Sequence, residues 1–96
     1  MLTSKQRAYL RSLGNELEPI FQVGKGGLTA ESLFQIGEAL KARELVKVRV
    51  LKNCLDEPRE VAEEIAGSLE ADLVQVIGRN FLLYKRSEDK AKIELP

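Results

Sequence analysis

Histidine and tryptophan are absent from this chain of 96 residues, and cysteine occurs once, as Cys54. Without histidine the commonest general base and the commonest metal ligand are missing. Neither a Ser-His-Asp nor a Cys-His arrangement can therefore be assembled within the chain. One cysteine excludes an internal disulfide framework and a multi-cysteine metal site. No apolar run approaches the roughly 18–20 residues that cross a bilayer. The stretch Met1 to Gly14 also lacks the apolar core of a signal peptide. These absences lead to the expectation of a small cytoplasmic domain that is not an enzyme, uses no cofactor or metal, and has no membrane partner.

What is present fits one globular domain. A chain of about 100 residues supports a single core. Hydrophobic residues make up 44% and charged residues 31%, which is folded rather than disordered composition. Fifteen basic and fifteen acidic groups cancel, but they are segregated along the chain. Residues 1–52 hold nine basic against five acidic groups; residues 53–76 hold only Arg59 against seven acids. Residues 77–96 hold five basic against three acidic groups. The folded domain should therefore carry a basic region and an acidic region. A basic patch can hold an anion despite zero net charge, because screening limits the field to about 10 Å.

Periodicity gives the elements. Thr3 and Gln6 have capping-box spacing, and Leu2, Tyr9, Leu10 and Leu13 form an apolar helical face closed by Gly14 as a C′ residue. Arg7 and Arg11 fall roughly opposite that face, with Lys5 on a flank. Pro19 introduces a short strand, Ile20 to Val23. After Gly24-Lys25-Gly26-Gly27, Thr29 caps a second helix that runs to about Arg43, with Leu28 and Leu33 at hydrophobic-staple spacing. Glu44 to Lys52 is a strand in which Val46, Val48 and Val50 alternate with Lys47 and Arg49. Asp56-Glu57-Pro58 starts a third helix, whose buried stripe is Val61, Ala62, Ile65, Ala66 and Leu69. Leu73 to Ile77 and Phe81 to Arg86 are strands joined by the turn Gly78-Arg79-Asn80. The fold class is then α/β, a single-domain two-layer sandwich of order α-β-α-β-α-β-β. Its four-stranded sheet is mixed, because the last two strands are too close for a crossover. The domain spans 1–86, and 87–96 reads as a charged, frayed end.

The tetrapeptide Gly24-Lys25-Gly26-Gly27 is the feature most suggestive of a ligand. Glycine permits close approach of backbone to ligand, the following helix presents free N–H groups, and Lys25 supplies a full positive charge. Together these make a phosphate site, although glycines also make plain turns and that reading stays open. The P-loop pattern is absent, and from Gly24 the dinucleotide pattern fails at its sixth position, Thr29. The G-x-x-G loop that clamps a nucleic-acid backbone does fit, although in KH domains that loop joins two helices.

At this point the chain resembles the CRM domain, named for chloroplast RNA splicing and ribosome maturation. The resemblance runs from Leu2 to Arg86. It is carried by Leu2-Thr3-Ser4-Lys5-Gln6-Arg7 with Leu10-Arg11, and by Val23 through Thr29. Ala39 through Val48, Val76-Ile77-Gly78-Arg79 and Leu83-Tyr84-Lys85-Arg86 complete it. It implies RNA binding by a small stand-alone bacterial protein associated with precursors of the large ribosomal subunit. It also implies a fold similar to the C-terminal domain of translation initiation factor three. The family's G-x-x-G loop maps onto Gly24, Lys25, Gly26 and Gly27, and its basic flank onto Lys5, Arg7 and Arg11. Here the loop has a single cation and an extra glycine, Gly26.

Further candidate RNA contacts are Lys47 and Arg49, if their sheet face is open, and Arg79 at the hairpin turn. Otherwise each is an ordinary solvated or snorkelling side chain. Tyr9, Phe21 and Tyr84 could stack on bases, but the core is the favoured assignment for each; two tyrosines and three phenylalanines are too few for a base-stacking platform. Cys54 reads as an inert thiol. The expected partner is RNA, specifically large-subunit ribosomal RNA or a pre-ribosomal particle, with ribosomal proteins as further contacts and a monomer favoured. The alternative is a protein adaptor that uses Glu60, Glu63 and Glu64 on a basic partner.

Overall fold

In the computed structural model, which describes residues 2–88 and 91–96, the expected element order is found. Helix α1 spans Ser4–Gly14, strand β1 Phe21–Val23, helix α2 Ala30–Arg43 and strand β2 Leu45–Val50. Helix α3 spans Pro58–Leu69, strand β3 Asp72–Ile77 and strand β4 Asn80–Tyr84. The chemistry at the helix starts is as the sequence implies. The Thr3 hydroxyl accepts from the Gln6 N–H at 3.1 Å while Gln6 reaches back to the Thr3 N–H at 3.0 Å, a complete capping box. Thr29 Oγ1 accepts from the Ser32 N–H at 3.0 Å.

The sheet order is β1-β2-β4-β3. β1 runs parallel to β2, and β4 is antiparallel to both β2 and β3. β1, β2 and β3 therefore point the same way, with β4 inserted against them. Their C-terminal ends gather at one end of the sheet, which brings the glycine loop, the 51–57 loop and the 78–79 turn together.

Strand alternation divides the apolar residues between two faces. Val46, Val48, Val50, Phe81 and Leu83 face α2 and α3, meeting Ile36, Leu40, Val61, Ala62 and Ile65 in the larger core. Cys54 is buried in this core, as expected for a packing thiol. Leu45, Leu82, Tyr84 and Val74 face the other way and meet Leu10 of α1. So α2 and α3 form the covering layer of the sandwich, and α1 adds a partial layer on the second face.

Three local expectations are corrected. Gly14 is the last residue of α1 rather than a left-handed C′ residue; Asn15 caps with φ −60. The physical reason for glycine is proximity, since a Cβ at position 14 would stand 2.2 Å from Leu82 Cδ1. Tyr9 is 39% exposed and belongs to neither core cluster, so the apolar face of α1 is narrower than its sequence spacing implies.

The third correction concerns the described part of 87–96, which is tethered rather than frayed. Glu44 is fully buried and accepts through Oε2 from the Ser87 N–H at 2.6 Å. Its Oε1 accepts from the N–H groups of Lys92 and Ile93. Ile93 and Leu95 then pack against the smaller core. Asp89 and Lys90 lie outside the described residues.

Candidate nucleic-acid interface

The glycine loop closes as a turn, with the Gly27 N–H donating to the Gly24 carbonyl at 2.9 Å. Gly27 holds φ +70, a conformation that costs little only without a Cβ. Gly24 rests against the 51–57 loop: a Cβ there would lie 3.4 Å from Leu51 Cδ1 and 3.6 Å from Asn53 Oδ1. Gly26 has open space around it, with nothing within 4 Å of an added Cβ. Lys25 is exposed at the tip. Glycine at 24 and 27 thus shapes the turn, while Gly26 and Lys25 face outward. α2 begins three residues past the loop, and its own Thr29 hydroxyl and first-turn Glu31 already offset part of its positive end. What the loop offers an anion is therefore chiefly Lys25 and the backbone.

The sheet face on the α1 side is only partly covered. Cross-strand pairing places Gln22, Arg49, Asn80 and Ile77 in one lateral row. The next row on that face holds Lys47, Leu82 and Gln75. α1 packs over Leu45, Tyr84 and Val74 further along, which leaves the row nearest the glycine loop open. Arg49 is exposed, Lys47 is half-buried and Ile77 is 61% exposed. The condition set by the sequence for Lys47 and Arg49, an open face, is met at this end of the sheet. Among the described residues the ion pair found is Lys41 with Glu38 at 2.9 Å, and Lys25, Lys47 and Arg49 have no carboxylate in ion-pair contact there.

Two of the arginines picked out in the sequence are held differently. The spacing of α1 directs Arg7 away from the core, but its NH1 donates to the carbonyls of Leu73 at 2.6 Å and Val74 at 3.0 Å. β3 is an edge strand with a bulge between Leu73 and Gln75. Such a break leaves carbonyls for a side chain to satisfy, and Arg7 does so. Arg79 likewise turns inward: its Nε donates to the Val50 carbonyl and its NH2 to the Leu51 carbonyl, both at 2.7 Å. These bonds pin the end of β2 and the start of the loop that supports Gly24. Lys5 is exposed and Arg11 half-buried on α1, a layer away from the glycine loop in the fold.

The acidic region is closer to the loop than the sequence implies. Asp56, Glu60 and Glu64 line a cleft of about 330 Å³ with Gly26 and Gly27. The glycine loop therefore sits on a boundary, with carboxylates on its α3 side and the Arg49 row on the other sheet face. An anion at Lys25 is repelled from the first side and attracted to the second. Proximity in space, not in sequence, creates this polarity.

Sequence periodicity gave no sign of Glu44 as a structural hub, because it falls between a helix pattern and a strand pattern. It caps α2 at φ 66 with its N–H on the Leu40 carbonyl. Burial raises its pKa, but the hydrogen bonds from Ser87, Ile93 and Lys92 and the charge of Arg86 outweigh that, so the carboxyl titrates below its ordinary range.

Over residues 2–85 the chain matches the CRS1 / YhbY (CRM) domain. It is 51% identical, over the whole of both chains, to the Bacillus subtilis protein named "Probable RNA-binding protein YqeI". It is 37% identical to a Haemophilus influenzae protein named "RNA-binding protein", across 99% of this chain and 95% of that one. The solution structure of a hypothetical Staphylococcus aureus protein superposes with a TM-score of 0.83 over the full length of both chains, at 47% identity.

Proposed function

This chain belongs to the CRS1 / YhbY (CRM) domain family, and from that membership and the site geometry we propose that it binds structured RNA. The glycine loop is the phosphate contact. Its relatives in Bacillus subtilis and Haemophilus influenzae carry RNA-binding names. The observation that carries the reading is the placement of an exposed Lys25 on a glycine turn beside the open row containing Arg49. Backbone N–H groups and Lys25 hold a phosphate, and Arg49 and Lys47 hold the strand as it passes over the sheet face. Recognition is then mainly of shape and backbone rather than of base sequence.

The RNA we propose is large-subunit ribosomal RNA in a precursor particle, and the role is binding during assembly in the cytoplasm. This finer reading is supported by the family resemblance. Ultraviolet cross-linking in cells tests it, with sequencing of the attached RNA and mapping of the linked peptides. Ribosomal RNA joined at the peptide that holds Lys25 is the expected result. Cross-links to other RNA discard the assembly role, and cross-links confined to other peptides discard the loop mechanism. Little RNA, with a known RNA-binding control working, favours a protein partner on the acidic α3 face instead.

A further inference from the structure

The 51–57 loop repeats the geometry of the glycine loop one strand over. Phe21, Gln22 and Val23 pair with Val48, Arg49 and Val50. The Leu51 N–H then donates to the Val23 carbonyl at 2.8 Å, which carries the parallel ladder one step beyond the strands. Both segments turn at this point. The Gly27 N–H closes the first turn on the Gly24 carbonyl at 2.9 Å, and the Cys54 N–H closes the second on the Leu51 carbonyl at 3.0 Å. Lys25 and Lys52 are each the second residue of their turn, and both are exposed. The turns adjoin, since a Cβ on Gly24 would lie 3.4 Å from Leu51 Cδ1 and 3.6 Å from Asn53 Oδ1. The second turn is held at both ends. Buried Cys54 anchors one; at the other, the Leu51 carbonyl also accepts from Arg79 NH2 at 2.7 Å. Lys52 lies outside the cleft that Asp56, Glu60 and Glu64 line, and among the described residues it has no carboxylate in ion-pair contact.

We infer that Lys52 is a second phosphate contact, and that the two turns grip successive phosphates of one RNA strand. The inference rests on the RNA-binding reading and extends it to a residue that the glycine motif does not contain. Neighbouring strands lie about 4.8 Å apart. Matched positions on adjoining turns therefore present two ammonium groups side by side, on flexible stems that can spread to the spacing of neighbouring phosphates. Two such cations repel each other, and a row of anions relieves that repulsion. Because the turn already fixes the backbone of Lys52, binding orders little beyond its side chain. One contact fixes a point on the RNA, whereas two fix the direction of its strand. Contacts of this kind position the RNA without reading a base. Other lysines lack this arrangement. Lys41 sits in the last turn of α2, the end away from the glycine loop, and pairs with Glu38. Lys85 donates to the Leu69 carbonyl at 2.7 Å.

The test follows binding of the full chain to a fluorescein-labelled RNA hairpin with a single-stranded tail, by anisotropy over a salt series. Lys52→Gln should lower the slope of log affinity against log salt by roughly 0.7–0.9, as Lys25→Gln should, and the double variant by roughly twice that. Lys52→Arg should keep the parent slope. Lys41→Gln removes the same charge away from the two turns and should also keep it. A slope lowered by Lys25→Gln but not by Lys52→Gln overturns the second contact and leaves the glycine-loop reading standing. A double variant that loses no more than either single one means that both lysines share one anion, which overturns the grip on two phosphates. An equal loss from Lys41→Gln reduces the effect of Lys52 to overall charge and overturns its contact. No change with any variant, or no salt-dependent binding by the parent chain, overturns the glycine-loop reading as well.

Discussion

The guanidinium of Arg79 donates to the carbonyl of Leu51 at 2.7 Å, and Leu51 is the residue against which Gly24 rests. The β3–β4 turn thus reaches the glycine loop through one intermediary. Removing this clamp should act on the loop's position rather than on its charge. Arg79→Ala is expected to cost about 1–3 kcal/mol of stability, from carbonyls left without their donor, read by urea denaturation. It should also weaken RNA binding while keeping the salt slope. A flattened slope would show that Arg79 itself neutralises a phosphate.

Lys25 should behave in the opposite way. Lys25→Glu should leave the fold intact, since the side chain is exposed, but remove the proposed phosphate contact. The slope of log affinity against log salt should fall by roughly 0.7–0.9, measured by fluorescence anisotropy over a salt series. An unchanged affinity and slope would remove Lys25 from the interface.

Neutralising the wall on the other side of the loop should help RNA. Asp56, Glu60 and Glu64 share a cleft with Gly26 and Gly27 and repel phosphate. The triple change to Asn, Gln and Gln should tighten RNA binding at low salt, with the gain fading as salt rises. Loss of binding would instead mean that these acids contact the partner.

Gly14 and Gly26 should part company. Alanine normally stabilises a helix by up to about 1 kcal/mol over glycine. At Gly14 that gain is overturned, because the new Cβ would meet Leu82 at 2.2 Å in a buried site. Overpacking of this kind costs about 1–3 kcal/mol. Gly26→Ala meets nothing within 4 Å and should melt within a degree or two of the parent. Thermal denaturation followed by circular dichroism separates the two.

Glu44 gives the fold an acid-sensitive fastening. Its carboxyl titrates below the ordinary 4.5, because the three backbone donors and Arg86 outweigh burial. A lowered folded pKa means that its contribution is fully present above the unfolded value and is lost as pH falls through the folded one. Stability measured by urea should therefore fall as pH drops from 5 towards 3. Glu44→Gln should be less stable at neutral pH and lose less on acidification. Hydrogen exchange at the Ile93 amide should speed up in the variant, because that N–H donates to Oε1 at 2.8 Å.

Local chemistry was legible without coordinates wherever neighbours in sequence decide the outcome. Thr3 with Gln6, Thr29 as a helix cap, the Val46-Val48-Val50 alternation and the 78–80 turn all act within a few residues. Helix and strand periods follow from that short range. The glycine loop stood out for the same reason, as three glycines around one lysine before a capped helix.

Long-range partners decided the rest. Arg7 and Arg79 read as exposed cations until strand carbonyls far away in sequence claimed them. Glu44 read as the start of a strand until residues more than forty positions later folded onto it. Whether the sheet face at Lys47 and Arg49 is open depends on how far along that face α1 lies. That is fixed by the fit of Gly14 on Leu82, a contact between residues with no pattern in common. Sequence alone determined which elements form and which loop is the candidate for an anion. Tertiary structure decided which charges remain free, because a cation's availability depends on the acceptors that packing brings within hydrogen-bond reach.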